Sequence, residues 1–243
     1  MKKNLIVIFF LTNILGLFSQ TFEGKLVYEI TFRVDEDRAN KLGISVDEML
    51  KMLKKKEDFA DTITYYIKDG NYIQEDNSKK RIKKIFRSHE NIIYYFEKES
   101  NYVVLHNAEY NNSLGLDLGE FRVSNPDSSK TILGKKCSLV KLTWDDFANE
   151  FYWYDSNILK VNPLLFVNHN VDGLNNLLNF TNSWPFEKTI SINNFVTITT
   201  TLVYFQKMDI NDSMFNIPEL RKSRRRKFQF IKNLEGYDVM KIK

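Results

Sequence analysis

From Asp61 to His106 the chain repeats one pattern: a short run rich in Ile, Val, Tyr, Thr and Phe, then a break of a few polar residues. Runs of that length match strands, and breaks that short can join only antiparallel neighbours, because a parallel crossover needs a dozen residues or more. Strands are expected at residues 62–68, 72–75, 81–87, 91–97 and 102–106, with Asp69-Gly70 as a two-residue hairpin turn. The pattern extends to both sides. Leu26, Tyr28, Ile30, Phe32 and Val34 alternate with more polar residues, the period of a half-buried strand. Further strands are expected at 136–144 and 150–154 around a turn at Asp145-Asp146, and at 187–192 and 195–208 around Asn193-Asn194. Residues 111–129 have no such period and read as loop, with Asn125-Pro126-Asp127 as a turn.

Two segments break the strand period. Ser45-Val46-Asp47-Glu48 is a capping box, and behind it Val46, Met49, Leu50 and Leu53 form one apolar stripe. That helix is expected to lie across the sheet through its stripe. Residues 172–180 are expected to form a second, shorter helix. The fold class is therefore a β-rich α+β: an antiparallel meander sheet with one or two helices laid across it. The abundance of Phe and Tyr, with alanine only at Ala39, Ala60, Ala108 and Ala148, agrees with sheet.

The N-terminus constrains location. Lys2 and Lys3 precede an apolar run from Leu5 to Leu11, resumed at Ile14 to Phe18, and Ser19-Gln20 supplies a small residue for cleavage. Residues 1–20 thus have the layout of a secretory signal peptide, too short in their apolar part for a membrane span. The expected protein is exported, to the periplasm or the outer membrane. Cys137 is the sole cysteine, so no intramolecular disulfide forms and no acylated cysteine follows the signal, which argues against a lipoprotein. Residues 21–220 are expected to form one β-rich domain, and 221–243 a basic C-terminal segment.

The segment Lys130 to Cys137, which enters a strand through Ile132-Leu133-Gly134, is followed by Tyr152-Trp153-Tyr154 and, near the end, by Phe215-Asn216-Ile217-Pro218. These landmarks resemble exported Bacteroidota proteins of unknown function, the GLPGLI family and its relatives. Residues 173–178 depart from that family's signature loop, lacking its proline and second glycine. The resemblance implies a lipoprotein-carrier type of architecture, a curved antiparallel meander sheet with one or two helices on its concave face, and brings no catalytic residue.

Chemistry-bearing patterns are sparse. His89, His106 and His169 lie far apart, none in a zinc-ligand spacing, so no metal or cofactor is expected, and they read as ordinary surface or strand histidines. No nucleophile elbow or phosphate loop occurs. The clusters Asp35-Glu36-Asp37 and Asp145-Asp146 read as turn residues. The charge balance is local: of 35 basic and 31 acidic residues, 221–243 hold nine basic and two acidic. Behind an export signal, Arg221, Lys222, Arg224, Arg225, Arg226 and Lys227 point to an anionic envelope surface and away from nucleic acid. A solvated terminus, or an edge strand at Phe228 to Ile231 guarded by charge, explains the same residues.

Strands such as Ile92 to Phe96 are apolar on both faces, so one face needs a cover beyond the helices. A lipid or other apolar ligand is the leading cover, with Met49, Leu53, Tyr94, Phe96, Trp153 and Trp184 nominated to line its site. A second reading covers that face with an envelope protein. A hydrolase ranks third, because no nucleophile–base pair assembles from the sequence.

Overall fold

The computed structural model describes residues 21–110, 121–144, 148–222 and 234–243. The expected signal peptide 1–20, the turn expected at Asp145-Asp146 and Arg224 to Lys227 lie outside the described residues. The strands are β1 (Gly24–Val34), β2 (Thr62–Lys68), β3 (Asn71–Asp76), β4 (Ile82–Arg87), β5 (Ile92–Glu97), β6 (Tyr102–Asn107), β7 (Arg122–Ser124), β8 (Ser129–Ile132), β9 (Lys135–Trp144), β10 (Ala148–Tyr154), β11 (Pro185–Ile192), β12 (Val196–Lys207), β13 (Leu220–Lys222) and β14 (Tyr237–Ile242). The helices are α1 (Glu36–Lys41), α2 (Val46–Lys55) and α3 (Leu174–Thr181).

All the strands join in a single sheet in the order β13-β14-β6-β5-β4-β3-β2-β1-β12-β11-β10-β9-β7, with β8 also on β9, and every pairing is antiparallel. Two meanders, β2 to β6 and β9 to β12, meet on the two sides of β1. The turns follow from local chemistry. Asp69 and Gly70 both have positive φ, as do Asn193 and Asn194, the backbone that matches the right-handed twist of a two-residue hairpin.

Each face has its own core. One collects Leu26, Tyr28, Ile67, Tyr72, Phe86, Ile93, Phe186 and Leu202 from the sheet, with Leu159, Val161, Phe166, Val171, Leu178 and Trp184 from the 158–184 segment laid across it. On the opposite face Ile73, Ile85, Tyr94 and Val103 are covered by Ile210 and Phe215. The second apolar face of β3 to β6 is thus covered by the chain's own 210–220 segment.

Several expectations change. α2 has its capping box, Ser45 accepting from the Glu48 N–H and Glu48 from the Ser45 N–H, yet none of its residues is buried. Val46, Met49, Leu50 and Leu53 remain half-buried beside β1, so this helix is peripheral, and α3 with the loop before it covers the sheet instead. Asp35-Glu36-Asp37 is a helix start: Asp35 accepts from the Arg38 N–H at 2.9 Å, and the next two carboxylates sit in the positive first turn of α1. Part of the expected 111–129 loop pairs as β7 and β8 on β9. The end of the basic segment returns to the sheet as β14, where Val239 is fully buried. His89 is a surface histidine and His106 a strand histidine on β6, as expected, whereas His169 is buried and lies on no strand.

Candidate functional site

A cavity of about 120 Å³ lies between the sheet and the 158–184 segment. Its walls come from eight strands consecutive in the sheet: Ile93 and Tyr95 (β5), Lys84 (β4), Tyr72 and Gln74 (β3), Tyr65 (β2), Tyr28 (β1), Thr200 (β12), Lys188 (β11) and Tyr152 (β10). Flat, β5 and β10 would stand seven strand spacings apart, roughly 34 Å. Side chains from both can line one small cavity only if the sheet curls around it. The cavity and the helical layer therefore occupy the concave face, as expected.

The covering layer is built for close approach. Asp172 and Gly173 both adopt left-handed backbone, and Gly173 caps the start of α3. The bend carries His169, Val171, Asp172, Leu174 and Leu177 over the sheet as the cavity's other wall. Aromatic rings dominate the interior. Tyr65, Tyr72 and Trp184 stand 5.6 to 5.9 Å apart in tilted or edge-to-face contact.

Most hydroxyls are tied down. Tyr28 donates to the Pro185 carbonyl at 2.7 Å and Tyr65 to Gln74 Oε1 at 3.0 Å. Tyr72 Oη lies 2.9 Å from His169 Nε2, and Tyr152 donates to Glu150. Burial raises the pKa of Tyr28, Tyr65, Tyr72, Tyr95 and Tyr152, so the cavity presents neutral phenols. Burial also lowers His169 to about 4, leaving a neutral imidazole at ordinary pH. The Tyr72–His169 contact therefore holds structure; it does not generate a phenolate. The Cys137 thiol, pushed up to about 11 by burial, is likewise unreactive.

Two lysines break the aromatic lining. Both are enclosed by protein, yet both keep accessible surface because they face the void. Burial works against the charge of Lys188, but Glu150, 3.5 Å away, and then Tyr152 and Asp172 raise its pKa well above the usual lysine value. Lys84 is different. Burial lowers its pKa, and Asp172 and Asp76, acting only through space, do not offset it. Its ammonium sits 5.4 Å from the centre of the Tyr95 ring. Among the described residues no cluster of three or more His, Cys, Asp or Glu could hold a metal ion.

Of the residues nominated from sequence, Trp184 lines this cavity. Tyr94 and Phe96 point to the opposite face, because Ile93 and Tyr95 occupy the alternate, concave positions. Trp153 lies beneath the Lys130 ammonium at 5.9 Å and does not line the cavity, whereas Tyr152 does. Met49 and Leu53 stay on peripheral α2. Arg221 and Lys222 are exposed on β13. The residues missed left one signal in the sequence: Lys84 alternates in phase with Phe86, and Lys188 with Phe186 and Ile190, so each lysine stands where a core side chain belongs.

No protein-family model and no curated protein matches this sequence. Among solved structures, PNGF-II is similar at a TM-score of 0.36 and 11% identity over 79% of this chain, which spans 30% of that one. A LolA superfamily protein, NE2245 from Nitrosomonas europaea, is similar at a TM-score of 0.35 and 10% identity, over 82% of this chain and 92% of that one. At such similarity neither structure's function transfers. Among the described residues no helix is long and apolar enough to cross a membrane.

Proposed function

We propose that the protein is a non-enzymatic binding protein of the cell envelope that holds a lipid or other amphipathic small molecule on the concave face of its sheet. The observation that supports this reading most is the cavity itself. Protein cores are close-packed, and a void walled by tyrosines, a tryptophan and two lysines is the usual composition of a binding site. A volume of about 120 Å³ takes a head group or one ring, so the remainder of an amphiphile needs a second surface. The sheet offers one. Ile30 lies opposite Thr200 and Phe32 opposite Ile198, with Ile190 next across, a half-buried apolar strip on the same face as the cavity.

The charged start, apolar run and small residue at positions 1–20 support placing the protein beyond the cytoplasmic membrane. Arg221 and Lys222, with Arg224 to Lys227, supply cationic residues for an anionic envelope surface. Native mass spectrometry of protein purified from its host tests the binding reading. The expected spectrum contains the mature chain with a bound small molecule that leaves on activation. Bare chain, both as purified and after incubation with host lipid extract, would overturn it.

A further inference from the structure

We propose that Lys84 receives the anionic group of the bound amphiphile, so that the ligand is an acid whose apolar part lies on the aromatic and aliphatic walls. This inference rests on the binding reading above and adds the charge class of the ligand.

Lys84 projects from the middle of β4, between Gln74 and Tyr95 on the neighbouring strands. Neither neighbour is a carboxylate. The other lysine of the cavity shows what a satisfied cation looks like there: Lys188 has Glu150 at 3.5 Å, itself buried and bonded by Tyr152. For Lys84 no ion pair is found among the described residues: its ammonium lies over the Tyr95 ring, and Asp172 and Asp76 act on it only through space. A buried cation without a close anion is costly to hold charged, and a ligand carboxylate or phosphate would remove that cost by a charge-assisted hydrogen bond. Another unused polar atom agrees in sign. Trp184 lines the same cavity, and its Nε1 is buried without a hydrogen-bond partner among the described residues. The indole nitrogen can only donate. Among the described residues Asp172 is the one carboxylate on the cavity wall, and it belongs to the covering layer, where it is exposed. An entering anion therefore has its cationic contact on the sheet side.

Octanoate and octanol share a chain and differ in charge. Their affinities for the mature protein, measured by isothermal titration calorimetry at neutral pH, test the inference. Octanoate should bind about tenfold more tightly or better, the scale of one charge-assisted hydrogen bond. In Lys84→Met and in Lys84→Gln that ratio should collapse towards one, with thermal midpoints showing that the variants fold. Octyl phosphate binding more tightly than octanoate keeps the inference and makes the head group a phosphate. Equal binding of octanoate and octanol by the wild type, or a preference that survives both substitutions, overturns it while the binding reading stands. Binding of no octyl compound overturns both.

Discussion

Acidification should destabilise this protein through His169, and replacing that residue should remove that part of the pH dependence. The imidazole is 2% exposed, with Phe86 at 4.5 Å edge-to-face and Tyr72 Oη at 2.9 Å from Nε2. Burial, only partly countered by backbone groups and Asp172, lowers its pKa from 6.5 to about 4. Between those values the unfolded chain binds a proton that the folded chain refuses. The contribution is therefore complete above about pH 6.5 and is lost as the pH falls towards about 4. At 1.36 kcal/mol for each pKa unit, the loss is about 3 kcal/mol. His169→Phe keeps a ring in place but strands the Tyr72 hydroxyl, so at pH 7 it should be less stable by about 1–3 kcal/mol. At pH 4 the wild type has lost its His169 contribution and the variant has not, so the gap should close or reverse. Urea titrations followed by tryptophan fluorescence at both pH values measure this. The groups common to both proteins, His106 and the carboxylates included, cancel in the difference. A gap that stays constant between pH 7 and pH 4 would refute the reasoning.

Two further predictions concern the fold. Leu178→Ala, at a fully buried position of α3, should cost about 3 kcal/mol, whereas Leu53→Asp on half-buried α2 should stay within about 1 kcal/mol. Urea midpoints would show the reverse order if α2 were the true cover. At Gly24 an added Cβ would lie 2.0 Å from the Gln206 carbonyl oxygen, so Gly24→Ala should force β1 from β12 and cost about 2 kcal/mol or more. A thermal midpoint equal to that of the parent would show that the strands tolerate the side chain.

Strand positions and turns were legible because they depend on neighbours in sequence: alternation, Asp69-Gly70 and Asn193-Asn194 each specify backbone within a few residues. The site was not legible, because it depends on which face of the sheet is concave. In Ile92 to Phe96 both alternating sets are apolar, so nothing local separates Tyr95, which faces the cavity, from Tyr94, which faces Ile210 and Phe215. His169 sits outside every expected element and Asp172 at the start of the expected 172–180 helix, and only the fold carries them over the sheet. β14 was hidden by composition: Asp238 and Lys241 make Tyr237–Ile242 resemble the charged stretch before it, and its partner β6 is far away in sequence.

The place of β1 governs the order in which the molecule can be assembled. The strand nearest the N-terminus is locked between its sequence neighbour β2 and the distant β12, with Gly24 opposite Lys207 and Val34 opposite Val196. The meander from β2 to β6 consists of local pairings and can form early, but the seam between the two halves must wait until nearly the whole chain is available. Closing so long a loop before any reward makes that seam the slow step, and high contact order of this kind goes with slow folding. Until then the free side of β1 is an unpaired edge, open to mispairing with another copy. If residues 1–20 direct export as proposed, such a delay favours passage across the membrane, since the two halves cannot become one sheet while the closing strand is still missing.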